Sequence, residues 1–389
     1  MPLRYLTASE SHGPALTAIL EGMPAGLPIT EERLAVDLAR RQSGTGTGDR
    51  MAIEQDRAQI LAGVMEGVTT GAPIALQIIN KDHANWKGKA VTAYTTPRPG
   101  HADLAAAVKY GYSDVRPSLE RASARETAAR VAVGALCRAF LDTFGITVGG
   151  YVTAIDGHVA RLEGLSFSAR LSRARDSAVQ CPDPEAASEM IRAIEKVRST
   201  GETLGGIIEV VAEGLPAGLG SHVNWDRRLD ARLAQAALGV PAIKGIEIGD
   251  AFGNTLKPGT QANDAITAGD NGLERKSNAC GGIEGGISNG QPVWLRAAMK
   301  PIPTTRKGQE TVDLATGKPS LTYYERSDVC PVPRAVVVLE AVVAIVLADA
   351  LMEKLGGDSI AEMKPRFDTL RRATLGDLRM TGQPHVFWP

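Results

Sequence analysis

Two histidines lie in segments built to turn. In TASESHGPALTA, residues 7–18, Ser9, Glu10, Ser11 and His12 precede Gly13 and Pro14. An imidazole takes up or releases a proton near neutral pH, and Gly13 lets the backbone bring it close to a ligand; a turn histidine satisfied by its neighbours would read the same way. In TTPRPGHADL, residues 95–104, Pro97, Pro99 and Gly100 fix a turn that presents His101, with Asp103 two residues on to orient the ring. A third titratable group, Asp328, sits beside Arg326 in YYERSDVCPVP. On a proline-stiffened loop it is either half of an ion pair or a carrier of protons.

Cations gather around these groups. RRQSGTGTGDRM, residues 40–51, sets Arg40, Arg41 and Arg50 at the ends of a glycine-rich loop. The loop follows a helical stretch and precedes no helix start, so it is neither a dinucleotide fingerprint nor a P-loop. It either wraps an anion through its N–H groups and guanidinium forks or is a solvated surface loop. Arg98, Arg116, Arg121 and Arg125 follow within one further segment. Arg121 and Arg125 are four apart on an expected helix beside Ala128, Ala132 and Ala135, a face too apolar for solvent. A recessed anion site fits this pattern; salt bridges to Glu120 or Glu126 are the alternative. Lys300 stands in MKPIPTTRKG, another stiff loop.

The elements that must hold these groups are legible in the period of the apolar residues. With 389 residues, 43% apolar and 22% charged, the chain has the balance of a globular protein. A net charge of −1 leaves no global field for nucleic acid or an anionic membrane, so anion sites must be local. Cys137, Cys181, Cys280 and Cys330 form no CxxC pair and have no histidine at metal-like spacing, which predicts reduced thiols and no metal site. No secretory signal opens the sequence, and a cytoplasmic protein is expected. The apolar stretch 335–352 carries Glu340 and Asp349, which predicts a buried core helix and not a membrane span.

The chain also repeats itself. EGMPAGL (21–27) returns as EGLPAGL (213–219), GVTTGAPIAL (67–76) as GISNGQPVWL (286–295), and SDVRP (113–117) as SDVCP (327–331). Three matches in one order predict two related halves, about 1–145 and 146–389, within a single domain. A helix over about 118–144, capped by Ser118, carries the stripe Val133, Leu136, Cys137, Phe140, Leu141 and Phe144; its twin spans 333–355. The expected fold is α+β, an internally duplicated β-α-β sandwich with central helices between mostly antiparallel sheets.

At these residues the chain resembles the chorismate synthase family in its bacterial form. The likeness runs over about residues 3–360 and rests on TASESHG, the RRQ and glycine-rich loop with DRM, RPGHADL, SLERASARETAARVA, WDRRLDARLAQA, GGIEGGISNGQP, MKPIPT and RSDVCPVP. The resemblance implies phosphate elimination from 5-enolpyruvylshikimate 3-phosphate to give chorismate, with reduced FMN bound beside the substrate, in a homotetramer. It implies that His12 protonates the departing phosphate, that His101 serves the reduced flavin, that Ser11 and Ser123 relay protons, and that Asp328 helps take the ring proton. Arg41, Arg50, Arg98, Arg125 and Arg326 are implied as substrate clamps. The implied flavin cradle is Arg121, Ala122 and Ser123, with Pro241, Ala242 and Gly285. Lys300, Pro301, Ile302, Pro303, Thr304 and Arg326 complete it.

Three positions depart from the family's pattern. Ser9 stands where glycine is usual, and a left-handed backbone there would be strained. Thr47 stands where an arginine is common, and Pro241 replaces an amide side chain and removes an N–H donor. A flavin- or anion-binding homologue without catalysis is the alternative these departures raise. A flavin reductase, an activity some members carry, would need an NADP site, and no GxGxxG motif provides one.

Overall fold

Alternation of apolar and polar residues builds the first sheet. In the strand Ala15–Glu21, Leu16, Ala18 and Leu20 are buried, and they lie opposite Ile78, Leu76 and Ile74 of the strand Ile74–Ile79. A period of two puts all six on one face. The computed structural model describes residues 2–46, 55–269, 272–325, 327–378 and 380–388. The first sheet has four antiparallel strands in the order Arg4–Ala8, Ala15–Glu21, Ile74–Ile79, Ala58–Ala62. The second has five, in the order Ile243–Ile248, Val293–Met299, Gly206–Glu213, Thr147–Ile155, His158–Val159.

Helices lie between the sheets. Thr127–Thr143 packs on the first sheet, Val332–Leu355 on the second, and the two helices pack on each other. They can do so closely because of Gly134, where an added Cβ would come within 2.3 Å of the Ala341 Cβ. The mixed α+β layering therefore matches the expectation, and the long apolar stretch is the buried core helix Val332–Leu355. Its one deep carboxylate is fully used: Glu340 accepts from Arg40 at 2.6 and 2.9 Å, from Arg138 at 3.0 Å and from the Gly150 amide at 2.8 Å. A buried charge held this way is costly to unpair. Asp349 near the other end accepts from the Leu3 amide at 2.6 Å.

The outer faces differ. Tyr151 and Val211 of the second sheet are covered by the helix Phe167–Arg175 through Phe167, Leu171 and Ala174, whereas Leu6, Ile19 and Ile79 of the first sheet are exposed.

One expected helix is interrupted. The stripe from Val133 to Phe144 is buried as predicted, but the helix does not run unbroken from 118. A short helix, Arg116–Arg121, ends at Ala122; Ser123 is extended (φ −66°, ψ 139°), and a single 3-10 turn precedes Thr127. The Ser123 hydroxyl accepts from the Arg125 amide at 3.3 Å and competes with the helical bond there. Arg121 and Arg125 consequently do not share a helix face. The four cysteines are free thiols.

Candidate active site

A cavity of about 710 Å³ lies at the break, with Ser123 among its lining residues. His12, His101 and Asp328 all line it, as do Arg41, Arg98 and Arg125. Each histidine is held by a carboxylate. His12 Nδ1 donates to Glu120 Oε1 at 2.7 Å, its amide donates to Glu120 Oε2 at 2.8 Å, and its ring lies 4.1 Å from that of Trp86. His101 Nδ1 donates to Asp103 Oδ1 at 2.7 Å. An ionised carboxylate only accepts, so both rings carry hydrogen on Nδ1 and keep Nε2 for exchange. Burial would raise Glu120, but the hydrogen bonds from His12 outweigh it and hold the carboxyl below its usual range. Asp103 follows the same logic: burial is outweighed by His101 and Arg98, and its pKa is driven well down.

The arginines are paired too. Arg98 donates to Asp103 through Nε at 2.8 Å and Nη2 at 3.0 Å, and to Thr304 at 3.1 Å. Arg125 Nη1 meets both oxygens of Asp56 at 2.6 and 2.7 Å, and Arg41 reaches the same carboxylate at 3.4 Å while holding Thr127 at 3.0 Å. Asn80 ties this group to the histidine turn, accepting from Arg125 Nε at 2.8 Å and donating to the Gly13 carbonyl at 2.8 Å. Burial and the neighbouring Arg334 push the Arg41 guanidinium down to about 9 against the pull of Asp56, so it remains charged at neutral pH. Asp328 is bonded to Arg334, whose Nε donates to the Arg41 carbonyl at 2.9 Å. Ser123 donates to Ser11 at 3.2 Å, which joins the two serines singled out in the sequence.

A second wall carries the other expected residues. Ala122 and Ser123 line the cavity with Pro241, Ala242 and Lys300, and Ile302, Pro303 and Thr304 follow; Pro301 faces an adjoining groove. Gly285 is not on the cavity wall: it has φ +59° in the turn between Ile283–Glu284 and Ile287–Ser288. Arg50, Thr47 and Arg326 lie outside the described residues. Ser9 is not strained, because its φ is not positive; it is buried, and its hydroxyl accepts from Arg121 Nη1 at 3.0 Å. Arg121 also donates to the Thr7 carbonyl at 3.1 Å. Ala242, by contrast, has φ +68°, a conformation costing about 1–3 kcal/mol that tends to persist at ligand sites.

Sequence reasoning missed five participants. Asp56 and Arg334 had no local signal, and Trp86 had none beyond its aromatic ring. Glu120 was considered only as a partner for Arg121 or Arg125, whereas it serves His12; Glu126 bonds Arg130 and Thr7. Lys244, also on the cavity wall, was not singled out.

A profile of the chorismate synthase family matches residues 3–352. The chorismate synthase of Desulforamulus reducens is 53% identical over 377 residues, covering 94% of this chain and 97% of that protein. That of Thermobifida fusca is 50% identical over 378 residues, covering 92% and 96%. A crystal structure of chorismate synthase superposes with a TM-score of 0.78 at 44% identity, covering 95% of this chain and 97% of that one.

Proposed function

The chain belongs to the chorismate synthase family, and on that premise we propose a division of labour within its cavity. The reaction is the loss of phosphate and a ring proton from 5-enolpyruvylshikimate 3-phosphate to give chorismate, so the protein is a lyase of the shikimate pathway for aromatic amino acids. Enzymes of this family require a reduced flavin.

The cavity wall fits FMN. Arg121 and Lys300 line it with no carboxylate partner among the described residues, which leaves their charge for a phosphate. The left-handed Ala242 beside them is the kind of backbone a ligand contact maintains. Arg121, Ala122, Ser123, Pro241, Ala242 and the run Lys300–Thr304 would hold the cofactor. When bound and reduced, it supplies electron density to the allylic system as phosphate leaves.

The chain's own residues do the rest. Arg41, Arg98 and Arg125, fixed by Asp56 and Asp103, bind the substrate's phosphate and carboxylates with guanidiniums that need no reorganisation. His12, as the imidazolium with its Nδ1–H held by Glu120, gives its Nε2 proton to the departing phosphate as the C–O bond breaks and is left neutral. Asp328 receives the ring proton, and the Ser11–Ser123 pair passes protons between the two walls. His101, as the imidazolium with its Nδ1–H held by Asp103, would present its Nε2 proton to the cofactor. The observation that carries this reading is the convergence of His12, His101 and Asp328 on one cavity with three carboxylate-anchored arginines.

The same reading extends to the whole molecule. With the two-residue edge strand His158–Val159 set aside, each sheet places its four remaining strands in the order first, second, fourth, third, which supports a duplication about 1–145 and 146–389. A cytoplasmic homotetramer is the assembly this family reading favours. The test is anaerobic phosphate release from 5-enolpyruvylshikimate 3-phosphate with FMN reduced by dithionite, beside a sample with oxidised FMN. Chorismate formed only with reduced flavin supports the assignment; binding of both ligands without release would make the chain a non-catalytic homologue.

A further inference from the structure

Lys244 sits at an irregularity in the second sheet. Between the strands Ile243–Ile248 and Val293–Met299 the register runs Ile243 to Met299 and then Gly245 to Ala298, so Lys244 is the extra residue of a β-bulge. A bulge turns its side chain out of the sheet's alternation and is a recurrent device beside active sites. Two residues earlier, Ala242 has φ +68°, and its carbonyl accepts from the Lys300 amide at 2.9 Å. Two backbone distortions and one cross-strand hydrogen bond thereby bring Lys244 and Lys300 to the same cavity wall.

The pair is electrostatically incomplete. Of the arginines that line the same cavity, Arg41 and Arg125 are matched to Asp56, Arg98 to Asp103 and Arg334 to Asp328. Among the described residues no carboxylate pairs with Lys244 or Lys300, and the Lys300 ammonium reaches only the Pro301 carbonyl at 3.5 Å. Burial and the like charge of Lys244 lower the pKa of Lys300, the mark of two ammonium groups that repel each other. An anion between them would remove that repulsion.

We infer that Lys244, aimed by its bulge and paired with Lys300, holds the phosphate monoester of the flavin and so makes this cavity select FMN over riboflavin. The inference rests on the flavin reading given above. The substrate also carries a phosphate monoester, but in the reading above the three anchored arginines serve it, whereas Lys244 lies two and three residues from Ala242 and Pro241 of the implied flavin cradle and lines the cavity with them.

The experiment titrates FMN and riboflavin, by quenching of flavin fluorescence, into the wild-type protein, Lys244→Gln and Lys244→Arg, with substrate binding measured in parallel by calorimetry. Lys244 is exposed, so unchanged melting of both variants is expected and is checked first. The expected result is that Lys244→Gln weakens FMN about tenfold, one counter-charge lost at roughly 1.4 kcal/mol per decade. Riboflavin and substrate affinity should stay unchanged, and Lys244→Arg should retain most of the FMN preference. Equal weakening of FMN and riboflavin would mean that the variant disturbs the wall rather than a phosphate contact, and would overturn the inference. Weakened substrate with unchanged FMN would reassign Lys244 to the substrate's phosphate and overturn it equally. A wild-type protein that binds neither flavin would defeat the flavin reading itself, a failure separable from any result on Lys244.

Discussion

The two walls of the cavity treat positive charge in opposite ways. On the wall built by His12, Arg41, Arg98 and Arg125, every cationic or proton-carrying group is already bonded to a buried or half-buried carboxylate. Around Arg121, Lys244 and Lys300, no carboxylate of the described residues is so bonded. The first is a rigid array whose cost is met during folding, which suits groups that must meet a transition state without moving. The second keeps its charge in reserve and gains most when an anion arrives. The proposed chemical group and the proposed binding group thus differ less in residue type than in whether their charges are paired before a ligand comes.

Removing Asp56 should break that contrast most severely. Asp56→Ala leaves Arg41 and Arg125 buried without their shared carboxylate, and a destabilisation of about 3–5 kcal/mol is expected in denaturant unfolding, with turnover lost. A near-normal midpoint would mean that the first wall is not pre-paired in any energetic sense. His101→Ala and His12→Ala should each slow phosphate release by roughly 10²–10⁴-fold while the melting temperature holds, as expected for acid–base groups; wild-type rates in either variant would remove that histidine from the mechanism.

Asp103 sharpens the comparison through pH. Its folded pKa is depressed, so between that value and the unfolded one of about 3.9 the unfolded chain binds more protons and stability rises with pH. The contribution is complete above about pH 4 and is lost as pH falls through the folded pKa. Asp103→Asn should flatten the acid limb of a stability–pH curve in that window, and an unchanged limb would deny the pairing. The smallest effect belongs to the binding wall: Ser9→Gly removes one hydrogen bond to Arg121, worth about 1 kcal/mol, so FMN affinity should fall around fivefold with little change in melting. Unaltered affinity would leave Ser9 a purely structural residue.

What could be read in advance depended on how far apart the partners lie. Asp103 is two residues from His101 and was legible as its orienting group; Glu120 is 108 residues from His12 and was not. The stripe from Val133 to Phe144 announced itself because burial follows the helical period. The interruption at Ser123 did not, because a serine inside an otherwise helical run becomes a break only when its hydroxyl and the cavity beyond it give the backbone another use. Asp56 lies 15 residues from Arg41 and 69 from Arg125, a pairing no spacing rule encodes. The bulge at Lys244 is invisible in one strand, since it exists only against the register of another.

The contact between Gly134 and Ala341 has a consequence for the newborn chain. Synthesis of the helix Thr127–Thr143 ends roughly 10–40 s before Val332–Leu355 begins to be made, at about 5–20 residues per second. For that interval a face cut to fit Ala341 has no occupant, and the Leu3 amide has no Asp349 to meet. Thr127–Thr143 can meet the first sheet early, but its closest helix partner arrives only as translation nears its end.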